Sequence, residues 1–342
     1  MARKDLVCLT PAGLYCEAGD FHVDPLRPVA RALVTHGHSD HARAGHAQVL
    51  ATRETLAIMA IRCGDEFAMA TQAVRYGEAI RLGDVTVSFH PAGHILGSAQ
   101  ILIEGRGTRL VVSGDYKRER DPTCAAFEPV PCDTFISEAT FGLPVFRHGN
   151  ADREIDKLIA SHRLFPERTH LVGAYALGKA QRLIALLRAE AYDRPIYIHG
   201  ALERLTEFYA SEGIALGEIR KATGRDAASL AGEIVLCPPS ALQDVWARRF
   251  TDPVHVFASG WMRVRARARQ RGVELPLVIS DHADWDGLCA TIEDTGCREV
   301  LVTHGEGDAL VHVAQGRGLA AQALHLLGYG DEEADAMPED AA

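Results

Sequence analysis

Thr35-His36-Gly37-His38-Ser39-Asp40-His41 follows directly on an apolar run and places three imidazoles and a carboxylate within six residues. No regular element can turn all four onto one face, but a loop at a strand end can fold them inward around a metal. Imidazole and carboxylate together suit Zn, Mn or Fe better than Ca or Mg. The same placement recurs along the chain. His94 follows a predicted strand over 85–90, Asp115 one over 109–113, Glu138 one over 134–137, His282 one over 276–280 and His304 one over 299–303. Asp24 follows the short apolar stretch 21–23, and Asp20 is its alternative without such a run. Loops at strand ends are where rigid scaffolds present reacting groups.

Outward from these motifs the chain has 342 residues, long enough for two domains with separate cores. Strands separated by glycine-rich turns fill the first part, 1–146, with one predicted helix over 53–62 after the N-cap candidate Thr52. Over 147–275 helices (152–162, 179–190, 202–212) alternate with strands (170–173, 194–199, 233–237, 254–258), the pattern of a parallel α/β unit. The strand-and-loop texture returns over 276–330, with a helix over 285–295, so the middle reads as an insertion into one domain. Residues 331–342 form an acidic, apolar-poor tail expected to be disordered.

The charge bounds the partners. With 36 Lys+Arg against 46 Asp+Glu, the net charge of −10 excludes coating of nucleic acid by bulk attraction. A local basic groove remains open, because six of the acids lie in the tail and divalent metals would offset more. The opening residues lack an apolar signal core, and no apolar run is long enough to cross a membrane. The 8 cysteines form no C-x-x-C pair. Reduced thiols in a cytoplasmic protein with no membrane association are the expectation.

Six histidines and four carboxylates exceed one tetrahedral Zn site. They fit two metals sharing a carboxylate and a hydroxide, which suits phosphodiester hydrolysis. Gly178-Lys179 opens a helical run after Tyr175, and a cation at a helix N-terminus can capture a phosphate; a solvated lysine is the plainer reading. Arg263, Arg265, Arg267, Arg269 and Arg271 alternate with small or apolar residues after Trp261. On a helix Arg263, Arg267 and Arg271 share one face that could line a nucleic-acid channel, with Trp261 as a stacking surface. A solvated basic helix is the alternative.

The residues His36-x-His38-x-Asp40-His41, His94 and Asp115 resemble the hydrolase motifs of the metallo-β-lactamase fold. Ser137-Glu138-Ala139-Thr140-Phe141-Gly142, Ser280-Asp281-His282-Ala283-Asp284 and Val302-Thr303-His304-Gly305-Glu306 resemble the motifs of its β-CASP nuclease branch. Pro11 to Cys16, Asp24-Pro25 and Tyr175 to Arg182 look most like bacterial exonucleases encoded beside an ATP-dependent DNA ligase. The resemblance covers nearly the whole chain except the tail. It implies an α/β protein: a metallo-β-lactamase αββα sandwich with an inserted α/β β-CASP cap and the active site in the cleft.

Residue by residue, the resemblance implies that His36, His38 and His94 hold one divalent metal, Zn or Mn. Asp40, His41 and His304 would hold a second, with Asp115 bridging. Asp24 would orient the histidine loop. Glu138 and His282 would pair, with His282 protonating the leaving oxygen. Lys179, Gly178 and Tyr175 would meet a substrate phosphate, and Arg182 would contact the strand. The implied activity is DNA exonuclease action from a strand end in DNA repair, with a dimetal-bridged hydroxide as nucleophile. The 5′ polarity follows by analogy with Artemis-like relatives, and a ligase and a helicase are the implied partners. His304 keeps an RNase J-like ribonuclease open, since Artemis-like DNA nucleases commonly have an apolar residue there. A small-molecule thioester or lactone hydrolase is the other alternative.

Overall fold

The computed structural model describes residues 6–223 and 227–324; the acidic tail 331–342 lies outside the described residues. The chain divides into two compact units, Met1–Val145 with His282–Ala342, and Phe146–Asp281.

The first unit contains two sheets. One has six strands adjacent in chain order: Cys8–Thr10, Gly13–Cys16, Phe21–Val23, Arg31–Leu33, His46–Thr52 and Ala68–Val74. The other has seven, in spatial order Ala320–Ala323, Glu299–Gly305, Thr134–Ala139, Thr108–Val112, Ala99–Gly105, Val85–Pro91 and Ile80–Leu82. Phe21, Val23, Leu33 and Leu50 of the first sheet share a core with Val87, Phe89, Ile101, Ile103 and Ile136 of the second. Each strand's alternate side chains face away from that core and need their own cover. For the first sheet, Ala32, Val34, Val49 and Ala51 cluster with Met59 of the helix Arg53–Cys63. For the second, Leu102, Val111, Phe135 and Val300 cluster with Leu288 and Ile292 of Trp285–Thr295 and Leu310 of Asp308–Gly316. The helix Arg53–Cys63 starts where expected: the Thr52 side chain accepts from the Thr55 N–H.

The second unit is built on a parallel six-stranded sheet, in spatial order Ile219–Lys221, Ile196–Ile198, Ile234–Cys237, His170–Gly173, Val254–Ala258 and Leu275–Leu277. The helices Ala151–Leu164, Lys179–Ala189 and Glu203–Ser211 intervene along the chain, as the alternating pattern led one to expect. The end of this unit corrects the sequence boundary at 275. Leu275–Leu277 pairs with Val254–Ala258, so the strand assigned to the last segment of the first domain is an edge strand of the second unit. An edge position also tolerates Pro276, which has no N–H to give a neighbour.

Candidate metal centre

The histidine loop leaves the strand Arg31–Leu33 and is shaped by one carboxylate. Asp24, itself in the left-handed region at φ 45°, accepts the Thr35 N–H at 2.8 Å, the Thr35 hydroxyl at 2.6 Å and His41 Nδ1–H at 2.8 Å. The Thr35 hydroxyl proton is thereby committed to Asp24. His36 Nδ1, 3.0 Å from the Thr35 oxygen, is then the donor of that pair, and its Nε2 carries the lone pair. His41 is set the same way, with Nδ1 on Asp24 and Nε2 turned inward. Sequence reading gave Asp24 this orienting role from resemblance but assigned nothing to Thr35.

Asp115 reaches the same point from the other sheet, just past Thr108–Val112. Its neighbour Gly114, at φ 53°, passes so close to Thr35 that a Cβ would lie 2.7 Å from that side chain. Asp115 Oδ2 lies 3.3 Å from His36 Nε2, 3.5 Å from His41 Nε2 and 3.8 Å from His94 Nε2. His94 Nε2 lies 3.0 Å from His38 Nδ1, and ligand atoms of His36, His38, His94 and Asp115 all fall within 4.8 Å of one another. On the other side His41 Nε2 is 3.6 Å from Asp40 Oδ2, and its ring stacks on His304 at 5.0 Å.

His304 arrives through a device the sequence did not announce. Pairing between Thr134–Ala139 and Glu299–Gly305 runs Glu138 to Thr303, then jumps from Ala139 to Gly305. His304 is the extra residue of this bulge and adopts φ 56°. A bulge of this kind re-aims a side chain beside a functional site.

Glu138 is fully buried. Its Oε1 accepts the Tyr116 N–H at 2.7 Å, and its Oε2 accepts from His282 Nδ1 at 2.9 Å. Ala283 N–H donates to the Tyr116 carbonyl at 2.6 Å, fixing the backbone just after His282. The His282 ring sits 4.6 Å from that of His94.

The electrostatics call for a cation. Burial, reinforced by His41, His94 and His38, holds His36 well below the ordinary imidazole value, and burial with His41 and His282 does the same for His304. Burial would also depress His41, but Asp115, Asp40 and Asp24 outweigh it and raise His41 well above that value. Asp115 is raised well above the carboxylate range, chiefly by burial. Without a metal, the raised His41 and Asp115 keep protons among these buried donors, in the place a divalent cation would take. His36 Nε2 and Asp40 Oδ1 are buried without a hydrogen-bond partner among the described residues. The donor set of imidazole and carboxylate therefore fits divalent Zn or Mn.

Lys179 opens the helix Lys179–Ala189, as expected, but the surroundings of the sequence candidates in the second unit are not those of a solvated face. Lys179, read as a phosphate-capturing or solvated lysine, is fully buried, with Nζ 2.7 Å from Asp281 Oδ1 and 5.6 Å from the Tyr175 ring. Gly178 precedes it at φ 85°, and its N–H donates to Gln181 Oε1 at 2.9 Å. Arg182 is buried too and donates to the Ser280 carbonyl. Lys179 and Arg182 thus both meet the 280–281 segment. The arginine run is not one helix. A single turn, Gly260–Arg263, is separated from the short helix Arg265–Gln270 by Val264 at φ −91°, ψ 103°. That break removes the common face expected for Arg263, Arg267 and Arg271. Arg263 is exposed, the Arg267 guanidinium lies 4.0 Å from the Trp261 ring centre, and Arg271 lies 4.8 Å from that of Phe257. Trp261 also meets Phe146 edge-on at 4.9 Å, so its ring is largely engaged within the unit.

A scan against protein-family models finds no match. Among curated proteins, a “Probable DNA ligase” of Opitutus terrae is 29% identical over 316 residues, which take in 91% of this chain and 30% of the relative. A ribonuclease of Thermus thermophilus is 28% identical over 229 residues, 56% of this chain and 53% of that one. Subunit 3 of the cleavage and polyadenylation specificity factor of Dictyostelium discoideum is 30% identical over 142 residues, 39% of this chain and 18% of the subunit. The chain therefore spans about a third of the first relative and about half of the second. A solved structure, a protein of unknown function from Enterococcus faecalis, superposes with a TM-score of 0.52 at 10% identity over 80% of this chain and 74% of that one. It shares the fold alone.

Proposed function

We propose that this chain, a β-CASP member of the metallo-β-lactamase family, is a metal-dependent nuclease that hydrolyses DNA phosphodiester bonds from a strand end. The observation that carries the reading is the single Asp115 oxygen within 3.8 Å of imidazole nitrogens from His36, His41 and His94, beside the Glu138–His282 pair. In this reading the first unit is the αββα sandwich and Phe146–Asp281 is the inserted cap. His36, His38 and His94 hold one cation, Asp40, His41 and His304 a second, and Asp115 serves both. Bound divalent cations supply Lewis acidity and bring the acidity of a water close to neutral pH. The protein's part is to aim the donors. Asp24 and Thr35 fix the ring orientation of His36 and His41, and the bulge at His304 closes the set. Glu138 accepts from His282 Nδ1, so a proton carried on Nε2 of the doubly protonated ring would go to the departing oxygen.

The preference for DNA rests on a match that takes in 91% of this chain and carries a DNA ligase name. On the same ground the nuclease acts on ends that a ligase then joins. Weaker support comes from the exposed arginines 263, 265 and 269 of the second unit, which suit a phosphate backbone. A ribonuclease is the second reading, favoured by the ribonuclease and cleavage-factor relatives and by His304.

One assay separates these readings: end-labelled single-stranded DNA, duplex DNA and RNA incubated with the protein and Mn or Zn. Release of mononucleotides from DNA ends supports the proposal, and 5′ against 3′ labels give the direction. RNA cut equally well or better defeats the DNA reading, and no cleavage of any nucleic acid returns the site to small-ester hydrolysis.

A further inference from the structure

The helix Arg53–Cys63 touches both loops that carry the first group of candidate ligands, one at each end. At its start, the Thr52 and Thr55 hydroxyls both donate to the Gly97 carbonyl, at 2.6 and 3.0 Å. Gly97, at φ 80°, is pressed so close that a Cβ would lie 2.6 Å from Glu54 Cβ and 2.8 Å from the Thr55 nitrogen. The turn it belongs to carries His94, whose N–H donates to Ser98 Oγ at 3.1 Å, as does that of Ile95 at 3.2 Å. At the other end, Arg62 donates to the Gly37 carbonyl, between His36 and His38. At 1.5 Å per residue the span from Thr52 to Arg62 is about 15 Å and rigid. Met59 and Ile58, fully buried in the middle of the helix, hold it to the sheet. Two loops that meet at His38 and His94, 3.0 Å apart, are thus tied to opposite ends of one strut.

We infer that this helix is a positioning element for the first metal: Arg62 and Thr55 set the separation at which His36 and His38 face His94. The inference rests on the reading of those three histidines as ligands of one cation. Groups that orient ligands without touching the metal characteristically change affinity by about 10–100-fold.

The test titrates Mn and Zn into the chelator-stripped protein by calorimetry, for the wild type, Arg62→Gln, Arg62→Lys, Thr55→Val, Thr55→Ser and His38→Ala. Thermal unfolding of each metal-free form is read alongside. The expected result is about tenfold weaker binding at one of two sites in Arg62→Gln and Thr55→Val. Arg62→Lys and Thr55→Ser, which keep a donor, recover most of it, and the metal-free unfolding temperatures stay close to wild type. Both sites within twofold of wild type in Arg62→Gln and Thr55→Val overturn the inference. So does affinity lost only in step with the metal-free unfolding temperature, the mark of a merely structural role. A wild-type protein that takes up no metal overturns the ligand reading along with it, whereas unaffected variants of a metal-binding wild type overturn the inference alone.

Discussion

The two units bury charge in opposite ways. In the first, His36, His38, His41, His94 and Asp115 converge, with Asp115 Oδ2 facing nitrogens of His36, His41 and His94. In the second, Lys179 and Asp281 are buried together 2.7 Å apart, and Arg182 is capped by a carbonyl. In the second cluster a lysine answers the buried carboxylate, whereas the ion pairs of Asp115 in the first are with His36, His41 and His94. Buried charge alone therefore does not mark a reacting site. Buried carboxylates ringed by imidazoles offer a divalent cation the donors that a lysine-paired carboxylate does not.

Removing a donor from the first cluster is the largest expected break in this contrast. His38→Ala or Asp115→Ala lowers nuclease activity by roughly 10³-fold or more, the equivalent of about 4 kcal/mol of lost Lewis-acid stabilisation. Turnover of labelled DNA measures it, and wild-type rates in either variant remove the metal assignment. Next in size, Lys179→Ala leaves Asp281 buried without its counter-ion and costs about 3–5 kcal/mol of stability in urea unfolding. The double change Lys179→Met, Asp281→Leu regains most of that. If Lys179→Ala instead unfolds like the wild type but loses preference for phosphorylated ends, Lys179 serves substrate and not the fold.

Chelation comes third. A cation at 100 times its Kd stabilises the native state by about 2.7 kcal/mol, so EDTA lowers the unfolding temperature of the wild type but leaves His38→Ala nearly unmoved. Equal shifts in both would place the bound metal elsewhere.

The smallest effect is a pH slope from the second unit, where burial brings His170 down to about 4. Its Nδ1 lies 3.2 Å from the Arg168 carbonyl and its Nε2 2.9 Å from the Ser161 hydroxyl, a pairing that suits the neutral ring. The folded value lies below the unfolded one, so the unfolded chain takes up the proton first. The contribution is fully present above about 6.5 and is lost as pH falls towards 4. Urea midpoints across that range decline in the wild type and decline less in His170→Gln; identical slopes would exclude His170 as the cause.

Some of this was legible in the sequence and some was not, for reasons that differ by residue. The loop from His36 to His41 could be read because its donors are adjacent along the chain, and the alternation of helices and strands over 151–258 exposed the parallel sheet. The strands Gly13–Cys16 and Ala68–Val74 escaped. The first has only four residues, and the second is mostly exposed, so neither shows a hydrophobic alternation. The helix Asp308–Gly316 was also missed, after the closely spaced Gly305 and Gly307. The arginine run misled because regular spacing suggested one helix, while Val264 takes an extended conformation within it.

Sequence alone determined which atoms are available: imidazoles and carboxylates at strand ends, chemistry that only a cation satisfies. Tertiary structure decided how they are used. A one-residue bulge aims His304, three hydrogen bonds to Asp24 choose the inward nitrogens, and a buried carboxylate claims Lys179. Composition is a property of each residue, whereas orientation and burial depend on partners that lie far away along the chain.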